Sequence, residues 1–167
     1  MKNTNSKHMT EPIQVFCKQA FTEKDKSVEV ILKINNVSSS TVHIFDSPTM
    51  PYFLQKGARS LLISYAVNGP DPHKRYYGTD IPITMPIRPK ESIERMVELV
   101  PLFLGDHYET DRNPTVLHGN IEVTCQVGWG ETPILPTERY QISIESLLSW
   151  QKTIESKPVS VNFGGGS

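Results

Sequence analysis

The chain has 167 residues, of which 37% are apolar and 21% are charged, so it can form one domain with a hydrophobic core. Its 17 basic and 18 acidic side chains nearly cancel, which removes any overall electrostatic reason to bind nucleic acid or an anionic membrane. No apolar run approaches the ~18 residues of a transmembrane helix. Residues 1–10 lack the apolar segment of a signal peptide, so we expect a cytoplasmic protein, or a secreted one whose leader was removed.

The first third of the chain predicts three strands after a disordered tail at residues 1–10. Apolar and polar residues alternate at 13–18, 28–35 and 41–45, which is the pattern of strands with one buried face. The second of these strands is the clearest and ends in Asn36-Val37-Ser38, residues typical of a turn. The same tripeptide is a glycosylation sequon, which we expect to be unused in a chain without a signal peptide.

Prolines mark the middle of the chain. Residues 46–57 predict irregular structure because prolines interrupt them, whereas 60–67 predicts a fourth strand. A long loop is expected at 68–80, and the two prolines in 81–87 restrict that segment to a sheet edge. Residues 92–100 predict a further strand. Its apolar face includes Arg95, so that side chain must reach an edge or a partner.

The last third contains the most regular alternation in the sequence. After a long loop predicted at 101–118, five apolar side chains fall on one face of 121–129, which predicts a strand with one buried face. Residues 145–155 fit either a short helix or the continuation of a long, bulged strand. A last strand is predicted at 159–163, and 164–167 resembles a linker stub.

Short strands separated by Gly, Pro, Asn and Ser turns predict an all-β, two-sheet antiparallel sandwich of seven to nine strands. The arrangement resembles the immunoglobulin-like β-sandwich superfamily over residues 11–163. The resemblance rests on the strand ending at Asn36, on Pro89-Lys90-Glu91-Ser92 before a strand, and on Gly119 opening the penultimate core strand. The resemblance implies a two-sheet sandwich, and about 100 residues suffice for that fold. The remaining residues of this longer chain are therefore expected in the loops at 68–91 and 101–118 and in 145–157.

Cys17 and Cys125 occupy inward positions in two different predicted strands. We expect two buried free thiols, because no sequence feature places the two cysteines opposite each other. Trp129 continues the inward face of 121–129, and we expect it to cap the core rather than to stack on a ligand.

Candidate catalytic and metal sites are weak. Asp71 and His73, or the acidic and histidine residues of 106–111, offer ligand types without a known ligand spacing. His118 with an aspartate and a serine lacks a nucleophile elbow, and no glycine pattern suits a phosphate. We therefore predict no catalytic residue, no metal site and no cofactor.

One loop has a distinct composition. Lys74-Arg75-Tyr76-Tyr77 combines cations with tyrosines, the residue types that dominate protein-binding hot spots; stacking on single-stranded nucleic acid is the less favoured alternative. If 81–87 and 92–100 form a hairpin, loops 68–80 and 101–118 lie at the same end of the sandwich. The predicted partner-binding residues are Arg75, Tyr76, Tyr77, His107, Tyr108 and Arg112.

These observations favour a non-enzymatic module that binds another protein through long loops or an exposed sheet edge. Homo-oligomerisation is compatible with this interpretation. The first alternative is an intracellular inhibitor of a protease or another enzyme, in which one loop blocks the target. The second alternative is a small hydrolase with an unrecognised site.

Overall fold

The structure of the protein is a computed structural model that describes residues 11–20, 28–67, 82–99 and 119–163, together with the backbone of 102–103 and 115–116. Within these residues the chain forms twelve strands and one short helix. In chain order they are β1 (Ile13–Ala20), β2 (Val28–Asn36), β3 (Val42–Phe45), β4 (Tyr52–Gly57), β5 (Ser60–Tyr65), β6 (Thr84–Ile87), β7 (Ser92–Leu99), β8 (Leu102–Phe103), β9 (Thr115–Val116), β10 (Asn120–Gly130), α1 (Ile144–Trp150), β11 (Lys152–Glu155) and β12 (Val159–Asn162).

The first sheet has three antiparallel strands in the order β1-β2-β7. Its register places Cys17 of β1 opposite Leu32 of β2, and Leu32 opposite Arg95 of β7. The middle strand alternates as predicted, because Val30, Leu32 and Ile34 are fully buried and the residues between them are not. One face of this sheet therefore belongs to the core, and the other carries the more exposed side chains.

The second sheet is built around β10, the strand with the most regular alternation. It pairs with β5 in parallel and with β3, β11 and β12 in antiparallel fashion. The sheet is extended by β4 beyond β5 and by β6 beyond β3. The inward side chains of β10 are buried, including Cys125 and, as expected, Trp129.

Two shorter strands share one edge of β10. Val127 pairs with Tyr65 of β5 and with Ile154 of β11, while Trp129 pairs with Ile44 of β3 and with Lys152 of β11. Since β11 pairs with both Val127 and Trp129 along one edge, β5 and β3 both lie along the other edge. Only Gly128 separates the last residue that pairs with β5 from the first that pairs with β3. The sheet is thus split at a junction where the chain leaves β3 after Phe45 and leaves β5 after Tyr65.

The two sheets enclose one large cluster of apolar side chains, to which both sheets contribute. This confirms the all-β sandwich class. Three details differ from the sequence-based prediction. The pair β5–β10 is parallel, β4 forms within 46–57 where irregular structure was expected, and β8 pairs with β9 inside the predicted loop 101–118. The strand count accordingly exceeds seven to nine.

A partial third layer covers the outer face of the second sheet. A Cβ atom added to Gly130 would collide with the ring of Trp150, and one added to Gly128 would meet the side chain of Gln151. The helix α1 and the residue after it therefore pack directly on the backbone of β10. Phe45 and Leu147 belong to a second, smaller apolar cluster in this layer. Residues 145–155 contain the expected short helix, but not the alternative of a long, bulged strand, because 136–141 are turn and β11 is a separate strand after the helix.

The predicted hairpin of 81–87 with 92–100 is wrong. β6 pairs with β3 in the second sheet, at its edge as its prolines require, whereas β7 pairs with β2 in the first sheet. The predicted turn at Pro89-Lys90 is present, but it carries the chain from one sheet to the other. The side chain of Asn36 stabilises this crossing, because its amide donates to the carbonyls of Ile87 and Ser40.

Candidate functional site

The predicted partner-binding residues Arg75, Tyr76, Tyr77, His107, Tyr108 and Arg112 lie outside the described residues. The same holds for Asp71, His73, residues 106–111 and His118, the candidate ligands and catalytic groups. Those hypotheses stay predictions. The hypothesis that loops 68–80 and 101–118 form one composite surface depended on a hairpin of 81–87 with 92–100. That hairpin is not formed.

The structure brings the two cysteines together. Cys17 lies on β1 in the first sheet and Cys125 on β10 in the second, and their Sγ atoms are 3.2 Å apart. Both thiols are free, as expected, but their contact was not predicted. Cys125 is fully buried as expected, whereas Cys17, which was also expected to be buried, is only partly buried because it lies on an edge strand. The pair spans the interior of the sandwich where β1 approaches β10, β11 and β12.

Ser156 fixes the position of Cys125. The Cys125 amide donates to Ser156 Oγ over 2.9 Å, and the Ser156 amide donates to the Cys125 carbonyl over 2.8 Å. Ser156 is itself buried and lies between β11 and β12. Because Cys125 also pairs with Ile63 of β5, its backbone is held on both edges of β10. Cys17 lies on an edge strand that is paired only with β2 in this sheet.

The contact makes the two thiols chemically unequal. A hydrogen bond from the Cys125 thiol lowers the pKa of Cys17, and this effect outweighs the opposing influence of burial. The same hydrogen bond, with burial, raises the pKa of Cys125. Cys17 is therefore the thiol that ionises first, and it is also the more accessible one.

A partly buried polar cluster surrounds Arg95, whose side chain extends from the first sheet to the junction in the second. Its Nη1 donates to the Phe45 carbonyl over 2.9 Å, and its Nη2 lies 3.0 Å from Asp46 Oδ1. The guanidinium also stacks over the ring of Tyr65. Burial lowers the pKa of Arg95 and raises that of Tyr65. As expected, the Arg95 side chain reaches partners, which are Phe45, Asp46 and Tyr65 of the same chain.

The cluster has a structural role at the junction. Arg95 closes the gap between β3 and β5 from the core side. From the outer face, the Gln151 side chain accepts from the Val67 amide and donates to the Val67 carbonyl, over 2.7 Å and 2.8 Å. These contacts replace the strand pairing that the split sheet lacks at this point, so the cluster holds the fold together rather than offering free groups for chemistry.

The outer face of the first sheet carries exposed apolar side chains. Phe16 on β1 is 51% exposed and Met96 on β7 is 63% exposed. Ile31 on β2 pairs with Met96 and lies two residues from Lys33, the partner of Phe16, so the three side chains share one face and form a diagonal across the sheet. No described element packs on this face, in contrast to the outer face of the second sheet beneath α1.

Neither a metal centre nor a membrane-spanning element is found in the described part of the chain. No three His, Cys, Asp or Glu side chains among the described residues are grouped closely enough to hold a metal ion. No described helix has the length and apolar character needed to cross a membrane.

No protein-family model, no curated protein and no solved structure matches this chain. The sequence did contain one signal for the cysteine pair, since both residues fall on inward positions of strands. It contained no signal for how the two sheets pack on each other, and that packing decides which inward residues of the two sheets meet.

Proposed function

We propose that this chain is a protein–protein interaction module. The observation that carries the proposal is the unequal cover of the two outer sheet faces. One is packed under α1 and its flanking segment, whereas the other displays Phe16, Ile31 and Met96 with no described element over them. Large apolar side chains grouped on a face are a common feature of protein contact sites.

The charges around this diagonal indicate which kind of partner would fit. Lys18 on β1 and Lys33 on β2 are basic, whereas Glu29 on β2 and Glu94 and Glu98 on β7 are acidic. All five side chains belong to the outer face by register. The fitting partner is a protein with an apolar centre, acidic groups facing Lys18 and Lys33, and basic groups facing the glutamates.

The experiment compares two double variants that remove similar apolar groups. Phe16→Ser/Met96→Ser alters the proposed face, and Leu135→Ser/Tyr140→Ser removes two exposed apolar side chains elsewhere. A protein captured from native lysate by the wild type is purified, and its Kd for each form is measured by calorimetry. We expect the face variant to bind at least ~100-fold more weakly and the control to bind like the wild type.

Equal affinities of the wild type and the face variant would overturn the proposal, as would the absence of both a captured protein and a dimer that the face variant abolishes. Sedimentation at increasing concentration identifies the remaining occupant, because a dimer that the face variant abolishes would make the partner a second copy of this chain. The inhibitor and hydrolase alternatives depend on loops outside the described residues, and no described contact favours either.

A further inference from the structure

We propose that Cys17 and Cys125 form a modification site, a dithiol that reacts with a low-molecular-weight disulfide and closes into a covalent link between the two sheets. The observation is the 3.2 Å separation of the two Sγ atoms across the sandwich interior. Ordinary apolar packing does not require two thiols to meet. This inference is independent of the proposed interaction face.

The required movement is small and falls on the less constrained strand. A disulfide has an S–S distance of about 2.0 Å, so the sulfurs must approach by roughly 1 Å. Cys125 is held by Ile63 on one edge of β10 and by Ser156 on the other. Cys17 lies on edge strand β1, whose only sheet partner among the described strands is β2. Closing the bond therefore means a slight inward shift of β1.

Unequal access sets the order of events. Cys17 is partly exposed and can meet an oxidant from solvent, whereas Cys125 is fully buried. The hydrogen bond that Cys125 donates favours the thiolate of Cys17 and so supports attack by that sulfur. Cys125 then acts as the resolving thiol, because its sulfur already lies beside the Cys17 sulfur that carries the mixed disulfide.

The reaction balances as a thiol–disulfide exchange. The Cys17 thiolate attacks one sulfur of the small disulfide, forming a mixed disulfide and releasing the first small thiolate, which takes up a proton. The hydrogen bond from Cys125 to the Cys17 thiolate is thereby lost. Cys125 gives up its proton and attacks the Cys17 sulfur, and the second small thiol leaves. Two protein thiols are oxidised, and one small disulfide is reduced to two thiols.

The first test uses the wild-type protein and oxidised glutathione as the probe. We expect both thiols to disappear without a glutathione adduct or a disulfide between two chains, and we expect non-reducing digestion to yield one linked pair of peptides containing Cys17 and Cys125. The oxidised form should melt about 10 °C above the reduced form, since the link closes a long loop. Two remaining thiols, or a stable adduct on the wild type, would overturn the proposal.

Two single variants test the order of events. Cys125→Ser should retain one glutathione on Cys17, because the resolving thiol is absent. Cys17→Ser should stay unmodified while folded, because Cys125 is buried. Equal modification of the two variants would contradict the assigned roles. If either variant fails to fold, the time course of the wild type decides, since a transient adduct on Cys17 must precede the linked product and an adduct on Cys125 must not appear.

Discussion

Arg95 and Tyr65 belong to different sheets, and the guanidinium carbon of Arg95 lies 4.7 Å from the centre of the Tyr65 ring. A charged side chain on an inward strand position would ordinarily weaken a core. Here the ring, the Phe45 carbonyl and Asp46 surround the guanidinium, so its charge and donors are matched where the second sheet is split.

Replacing Arg95 should therefore destabilise the fold. Arg95→Ala leaves the Phe45 carbonyl without its donor and opens a gap beside Tyr65, and we expect a loss of about 2–4 kcal/mol in the free energy of unfolding. Urea denaturation measures this loss. Arg88→Ala removes an exposed arginine in the connection between β6 and β7 and serves as the control. Equal stabilities of the two variants would show that Arg95 does not support the junction.

Trp129 is predicted to be a structural residue. Its side chain lies in the main core and is 3% exposed, so Trp129→Ala should cost roughly 3–5 kcal/mol. Thermal unfolding of this variant beside Tyr140→Ala, which removes an exposed ring, provides the measurement. An unchanged melting temperature for Trp129→Ala would reopen the alternative of a ligand-stacking ring.

Gly130→Ala tests the packing of the third layer. The added methyl group would occupy space taken by the ring of Trp150, whose Nε1 donates to the Thr132 carbonyl. We expect a loss of about 1–3 kcal/mol and a changed tryptophan fluorescence spectrum. Gly57→Ala is the matched control, because its nearest neighbour would be 3.8 Å away. If both variants behave like the wild type, α1 does not pack as described.

Asn36 and its neighbour offer a matched pair of substitutions. The Asn36 amide donates to two carbonyls, so Asn36→Asp replaces the donor by an acceptor in a buried position and should cost about 2–4 kcal/mol. Within the described residues, the Asn35 side chain acts as an acceptor, from Ser92 Oγ, so Asn35→Asp should be nearly neutral. Chemical denaturation of the two variants distinguishes them. A similar loss in both would mean that the crossing does not depend on the Asn36 donors.

The same contacts explain why the sequon at Asn36 should stay unmodified. The Nδ2 atom that would carry a glycan is engaged by the carbonyls of Ser40 and Ile87, and the side chain is buried.

Local patterns predicted a large part of the fold. Period-two alternation identified β2, β7 and β10, and the prolines of 81–87 placed β6 at an edge. These signals are local, since a strand needs only a buried face and available hydrogen bonds. The inward position of Arg95 was also visible, together with its need for a partner.

Pairing between distant segments was not predictable in the same way. The sequence around Pro89-Lys90 indicates a turn, but a turn does not state whether the next strand joins the same sheet. The roles of Gly128 and Gly130 depend on Trp150 and Gln151, which follow them by some twenty residues. The contact of Cys17 with Cys125 depends on the packing of two sheets, which no single-strand pattern encodes.

The split of the second sheet also bears on the order in which the chain can assemble during synthesis. β3 with β6, and β4 with β5, can pair among residues before Asn120, but among the described strands only β10 joins the two pairs into one sheet. A nascent chain that ends before Asn120 thus holds two half-sheets with open edges and no common strand. Such long-range pairing delays folding relative to local contacts. The sandwich can therefore be completed only after β10 has left the ribosome.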